Sequence, residues 1–152
     1  MISSRNIDDL HPYVAMMCHD WVAACQRAGI DVLITSTYRD NASQDSIYAI
    51  GRTVRGADPI SVVRPMGRTV TNAKGGQSFH NYRLAFDFVP LIGGKPQWNN
   101  LQLITQCGLI GENLGLEWAG RWTKFKELLH LQYTDGLTIA ELQAGQTIHS
   151  HI

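Results

Sequence analysis

Cysteine is scarce in this chain. Its three cysteines, Cys18, Cys25 and Cys107, are an odd number with no Cys-x-x-Cys pair, which excludes a disulfide framework and a thiolate zinc cluster and points to a reducing compartment. An excess of charge is missing too. Thirteen lysines and arginines balance thirteen aspartates and glutamates, with no long run of one sign. Gripping nucleic acid or an anionic membrane requires concentrated positive surface, so both are set aside as the main function. No apolar run approaches a membrane span, and Met1 is followed by Ile-Ser-Ser-Arg-Asn-Ile-Asp-Asp, without the apolar core of a signal peptide. Any substrate outside the cytoplasm would have to be reached through another agent. No repeat, linker or second domain is visible. The 152 residues read as one domain, and a domain of roughly 150 residues buries about 70% of the surface its unfolded chain exposes.

Periodicity divides the chain into elements. Leu10, Val14, Met17, Trp21, Cys25 and Ala28 recur every three or four residues before Gly29, predicting an amphipathic helix with a C-terminal glycine. The β-branched run from Asp31 to Thr37 reads as a strand delivering Tyr38-Arg39-Asp40 to its end, with a short helix from about Asn41 to Ile50. Residues 51 to 77 contain Pro59, Pro65 and many glycines and arginines, and read as an extended loop forming a cleft wall. Leu84 to Val89 alternates as a strand, and Asn99 to Leu114 reads as a helix started by the Asn99-Asn100 pair and ended near Gly115. Trp118 and His130 to Tyr133 read as short strands, Thr138 to Ala144 as a last helical turn or two, and His149 to Ile152 as a loose tail.

The chemistry concentrates in Ser78-Phe79-His80-Asn81-Tyr82-Arg83-Leu84-Ala85-Phe86-Asp87 and in Glu127-Leu128-Leu129-His130. Two imidazoles and a carboxylate, His80, Asp87 and His130, give three ligands and leave a fourth position of a tetrahedral zinc ion open, as a catalytic site needs. Strand alternation puts Asp87 and Ala85 on one face and Phe86 and Phe88 on the other, so the carboxylate can face a cleft while the phenylalanines anchor the strand. For a lone histidine, a core residue satisfied by a carbonyl is the better reading; two histidines and an acid in apolar or turn contexts fit a metal more economically. Glu127, three residues before His130, would take a proton from water in metal-assisted amide hydrolysis; alternatively Lys124, Lys126 and Glu127 are a solvated turn. Arg39, with Gln44 one helical turn on, suits a carboxylate or a developing oxyanion, against a structural ion pair with Asp40 or Asp45. Ser78 either bonds a ligand or caps a turn. His11, His19, His149 and His151 have no evident metal partner. Trp98, Trp118 and Trp122 read first as packing, although Trp118 and Trp122 flank the approach to Glu127. The same ligand set also suits iron, cobalt or manganese.

Ser78-x-His80-x6-Asp87 with Glu127-x-x-His130 resembles the zinc peptidases that cleave D-Ala-D-Ala or L-Ala-D-Glu bonds in peptidoglycan, and more particularly phage endolysins of the L-alanyl-D-glutamate peptidase type. Ser36-Thr37-Tyr38-Arg39 with Gln44, Ile47-Tyr48-Ala49-x-Gly51-Arg52-Thr53, the run Val70 to Ser78, and Gly136 to Gly145 carry the likeness over nearly the whole chain. The resemblance implies a small α+β domain with the site on an antiparallel sheet between flanking helices. It implies one zinc ion on His80, Asp87 and His130, Glu127 as general base, Arg39 orienting substrate and stabilising the oxyanion, and Gln44 and Ser78 near the substrate. It also implies the peptidoglycan stem peptide as partner, a monomer spanning residues 1–152 without a separate wall-binding domain, and release from the cytoplasm by a separate pore-forming protein. Arg83, Leu129 and Leu131 depart from that group's pattern, which usually has glycine, proline and an aromatic residue there. A long cation at Arg83 would narrow the cleft or recruit a stem-peptide carboxylate. A D,D-carboxypeptidase or dipeptidase with the same zinc chemistry is the nearest alternative, and a zinc-stabilised wall-binding module without catalysis is another.

Overall fold

A computed structural model describes residues 1–57 and 66–149. The first α-helix, α1 (Pro12–Arg27), begins where the His11 side chain accepts the Tyr13 N–H and Pro12 supplies a preset first turn. Its apolar stripe buries Val14, Met17, Cys18, Trp21 and Cys25. Strand β1 (Asp31–Ser36) follows, then α2 (Asn41–Ala49), whose N-terminus is capped by Asp40 accepting from Ser43 N–H at 2.8 Å. After the loop come β2 (Ala85–Ile92), β3 (Lys95–Pro96), α3 (Leu101–Asn113), β4 (Glu117–Trp118), β5 (His130–Gln132) and α4 (Ile139–Gln143). The expected α+β architecture is present: the five strands form one antiparallel sheet in the order β1-β2-β5-β4, with β3 against β2. None of the helices is long and apolar enough to cross a membrane among the described residues.

Two details differ from the sequence reading. β2 runs on to Ile92 and turns back through Gly93 and Gly94, at φ +58° and +76°, into β3. Positive φ at both central residues is the requirement of a tight two-residue hairpin, so the glycine pair was a legible signal that the shorter strand reading passed over. At the C-terminus, Ile148 is buried and the His149 N–H is bonded to Asp135, so the packed chain reaches the start of the expected tail; residues 150–152 lie outside the described residues. So do residues 58–65 of the long loop, whose described parts carry no helix or strand.

Alternation sorts the two faces of the sheet. On one, Phe86 and Phe88 reach the buried Trp21 of α1, with ring centroids 5.5 and 4.8 Å away, and the indole N–H donates to the Cys107 carbonyl of α3. Leu131 and Trp118 share that core face, paired across β5 and β4. On the opposite face stand Asp87, His130, Gln132 and Glu117. The register sets their neighbours: Ser36 lies opposite Asp87 after a bulge in β1, Asp87 opposite His130, and Gln132 opposite Glu117.

The helix and sheet approach closely at Gly108, where an added Cβ would lie 2.3 Å from the Trp118 indole. Trp118 in turn donates its N–H to the Leu128 carbonyl at 2.8 Å, fixing the segment that enters β5. Helix propensity alone favours alanine over glycine at such an interior position by about 1 kcal/mol. Overpacking against a ring held on both sides opposes it by about 1–3 kcal/mol. Gly108→Ala is therefore expected to destabilise the protein, read as a lower midpoint in chemical denaturation; a raised midpoint would mean that the indole can move aside.

Candidate active site

His80, Asp87 and His130 reach one point from three separate pieces of backbone. His80 sits in a single 3-10 turn, Phe79–Tyr82, opened by a capping box between Ser78 and Asn81 and closed by Arg83 in the left-handed region at φ +65°. Asp87 is central in the sheet, and His130 begins β5 beside it. The ligand-capable atoms of the three lie within 4.8 Å of one another, with both histidines buried.

The second nitrogen of each ring decides what faces inward. His80 Nδ1 is 2.7 Å from the Thr37 carbonyl, which can only accept, so this nitrogen carries a proton and donates. His130 Nε2 is 2.8 Å from Gln132 Oε1. The Gln132 amide is itself oriented by Glu117, whose carboxylate accepts from Gln132 Nε2 at 3.0 Å, so Oε1 must face His130. The Trp122 N–H donates to the other Glu117 oxygen at 3.2 Å. With both outer nitrogens donating, neutral rings direct two lone pairs, from His80 Nε2 and His130 Nδ1, at Asp87 Oδ1 across 3.1 and 3.0 Å. Three electron-rich atoms so placed repel unless a cation lies among them. A proton on a ring supplies one answer and a divalent metal the other, so the donor set fits a metal ion with outer partners that fix each ligand's tautomer.

The electrostatics agree. Burial alone would raise the Asp87 pKa, but the His80 and His130 charges and hydrogen bonds outweigh it and hold the carboxylate well below its usual range. Burial alone would lower the His130 pKa; the Asp87 bond and charge, the Glu127 charge and the Gln132 bond raise it above the ordinary histidine value. Glu127 Oε2 stands 3.4 Å from His130 Nδ1, with its N–H tied to the Ala119 carbonyl. Across the site, Arg39 donates to Ser36, to Gln44 at 2.9 Å and to Asp87 Oδ2 at 3.4 Å. Burial pulls the Arg39 pKa down while the Asp87 and Glu127 charges pull it up, and guanidinium remains a cation. Of these, Ser36, Arg39, His80, Asp87, Glu127, His130 and Gln132 line one open cleft of about 910 Å³, together with Val70, Asn72, Trp98 and Trp122.

Within the chain, residues 71–133 match a family described as D-alanyl-D-alanine carboxypeptidase, Peptidase_M15_4. The peptidoglycan L-alanyl-D-glutamate endopeptidase CwlK of Bacillus subtilis (strain 168) is 36% identical, over 82% of this chain and 73% of that protein. The chain belongs to the M15 peptidase family. Among solved structures, the Serratia marcescens L-Ala D-Glu endopeptidase ChiX has the same fold with a TM-score of 0.62 at 17% identity, covering 88% of this chain and 90% of its own. The vancomycin resistance D,D-pentapeptidase VanY in complex with Zn(II) superposes equally well, with a TM-score of 0.62 at 16% identity over 94% and 89% of the two chains.

The structure also places the other residues that the sequence of this M15 peptidase brings forward. Gln44 does not face the substrate side: it is buried, its oxygen accepts from Arg39 and its amide donates to the Ala73 carbonyl at 2.8 Å, so it ties Arg39 to the cleft wall. Arg39 pairs with Asp87, not with Asp40 or Asp45, which cap α2 and hold Gly75. Ser78 lines the cleft but its Oγ accepts the His80 N–H as a cap. Arg83 turns away from the cleft, stacking 3.8 Å over the Tyr38 ring and donating to the Asp9 carbonyl, so it neither narrows the cleft nor meets substrate there. Trp118 is core, while Trp98 and Trp122 line the cleft. Thr37, Asn81, Glu117 and Gln132 escaped the sequence reading. Asn81 joins the Arg39 carbonyl to the Gly76 and Ser78 N–H groups. Gln132 alone had a signal, its position on the face of His130 two residues along a strand.

Gln132→Leu removes the acceptor that keeps the His130 proton on Nε2, and metal affinity is expected to fall about 10–100-fold by competition titration, with unchanged affinity refuting the role. Metal must also displace the proton that the raised His130 pKa retains. Affinity should then be level above that pKa and fall about tenfold per pH unit below it for the one proton displaced, and a flat profile through the acid range would contradict this.

Proposed function

We propose that this protein is a zinc-dependent peptidoglycan endopeptidase that hydrolyses the L-Ala–D-Glu bond of the stem peptide. The observation that carries the reading is the convergence of His80, Asp87 and His130 lone pairs beside Glu127, in an open cleft with Arg39 opposite. Zinc held by these three residues supplies Lewis-acid activation of water and of the scissile carbonyl. Glu127, half-exposed and next to the ligand cluster, takes the proton of the attacking water and returns it to the departing amine. Arg39, oriented by Gln44 and Ser36, faces the charge that develops on the carbonyl oxygen.

Support for an endopeptidase comes from the cleft and from the relatives. A volume of about 910 Å³ lies at the upper end of the roughly 300–1,000 Å³ typical of ligand pockets, room for chain on both sides of a cut bond. CwlK and ChiX carry the L-Ala–D-Glu endopeptidase name. The second reading, a D,D-carboxypeptidase, is favoured by the description of the matching family and by VanY. The motif resemblance to phage endolysins supports host lysis as the setting, with a separate pore-forming protein giving access to the wall. A binding module without catalysis has no use for a carboxylate at Glu127.

Mass spectrometry of digested peptidoglycan is expected to find new amino termini on D-glutamate that vanish with chelator. Release of terminal D-alanine alone would assign the carboxypeptidase instead, and no cleavage with metal bound would leave the binding module. Glu127→Ala should retain the metal and lose at least about a hundredfold in turnover. Unchanged turnover in that variant would remove Glu127 from the mechanism.

A further inference from the structure

Beside the main cleft, and sharing its Glu127 wall, lies a small chamber of about 140 Å³ lined by Thr69, Thr71, Asn72, Phe125 and Lys126. Three of its polar side chains are unspent, while the Thr71 hydroxyl is taken by the Ala73 N–H. Among the described residues the Lys126 ammonium forms no ion pair, not even with neighbouring Glu127, and the Asn72 amide and Thr69 hydroxyl bond to no protein group. The other cation on the cleft, Arg39, is already engaged by Ser36, Gln44 and Asp87. The backbone just before Lys126 takes an uncommon conformation. Phe125, exposed and at φ +52°, occupies a left-handed conformation that a bulky residue rarely adopts, and the next peptide but one is pinned by the Glu127 N–H to the Ala119 carbonyl.

We propose that this chamber is a carboxylate subsite in which Lys126, with Asn72 and Thr69, binds the free α-carboxylate of the D-glutamyl residue on the leaving side of the cut bond. The inference rests on the endopeptidase reading. Glu127 must deliver its proton to the leaving nitrogen, so the residue that owns this nitrogen lies against Glu127. In the stem peptide D-glutamate continues the chain through its γ-carboxyl, which leaves the α-carboxylate on the carbon that bears the leaving nitrogen. A group one carbon from that nitrogen comes to the chamber that Glu127 borders, and Lys126 is the cation on its lining. An ammonium is a point charge that needs no fixed approach angle, and the neighbouring amide and hydroxyl can donate to the remaining lone pairs. Glu127 is an anion on the same chamber and opposes a second one; Lys126 at the adjacent position offsets it. The consequence is a chemotype preference. Walls whose D-glutamate is amidated at the α-position present a neutral carboxamide to Lys126 and are poorer substrates.

The test uses the zinc-loaded protein and muropeptides prepared in matched forms, with D-glutamate α-carboxylate or α-carboxamide, and with diaminopimelate or lysine as the third residue. Amidation is expected to lower kcat/KM of the wild type about tenfold, the scale of one charge-assisted hydrogen bond. Lys126→Met should lower cleavage of the carboxylate form about tenfold and bring the ratio of the two forms close to one. Lys126→Arg, which keeps the charge, should restore the preference. Equal cleavage of both forms by the wild type, or an unchanged ratio in Lys126→Met, would overturn the subsite while leaving the endopeptidase standing. A ratio that responds only to the third residue would refute the D-glutamyl assignment in favour of the diaminopimelate carboxylate. Failure of the wild type to cut any form would sink the endopeptidase reading itself.

Discussion

Three lone pairs meeting at Asp87 are the constraint around which the rest of this molecule is arranged. His80 and His130 each give their one proton to an acceptor outside the site, Thr37 and Gln132, so their free nitrogens and the carboxylate confront one another at 3.0 to 3.1 Å. Bringing such groups together away from water is costly, and it is sustained only where every other polar atom has its partner. That condition holds, since no buried side-chain nitrogen or oxygen among the described residues lacks a hydrogen bond. A cation among the three relieves the confrontation, either the proton that the raised His130 pKa favours or a metal ion.

What holds the confrontation in place is the division of the sheet into two faces. Trp21, Phe86, Phe88 and Leu131 lock β2 and β5 onto α1 and α3 from below, and a one-residue slip of either strand would exchange these apolar side chains for Asp87 and His130. The core therefore sets the register, and the register brings Asp87 beside His130. Gly108 lets α3 approach Trp118, and Trp118 holds Leu128, so packing on the far side of the sheet reaches the segment between Glu127 and His130.

The chemistry sits on strands and on one tight turn, whereas the surfaces that would read a substrate sit on loops. Residues 66–78 and 119–129 form much of the cleft wall, tied in through Gln44 to Ala73, Arg52 to Thr71 and Trp122 to Glu117. Rigid elements fix reacting groups to tenths of an ångström, and loops can vary around them without disturbing the ligands. Lys126 lies at the boundary, one residue before Glu127 and on the loop side of it.

Local pattern was enough for α1, β1, α2, α3 and the direction of Asp87, because helix caps, periodicity and strand alternation act over a few residues. Residue type and spacing were also enough to bring His80, Asp87, Glu127, His130 and Arg39 forward, since few side chains can serve as metal ligand, base or oxyanion partner. The sequence did not determine what each of these leans on. Gln132 matters because Glu117, fifteen residues away, turns its amide; Gln44 became a brace for Arg39 because both its donor and its acceptor are consumed by backbone and guanidinium. Arg83 left the cleft because its left-handed backbone directs it to Tyr38 and Asp9, a direction set by a carbonyl seventy-four residues earlier in the chain. Chemical identity is a property of one residue, but the tautomer, orientation and free valence that make it functional belong to pairs, and only the tertiary structure decides which pairs meet.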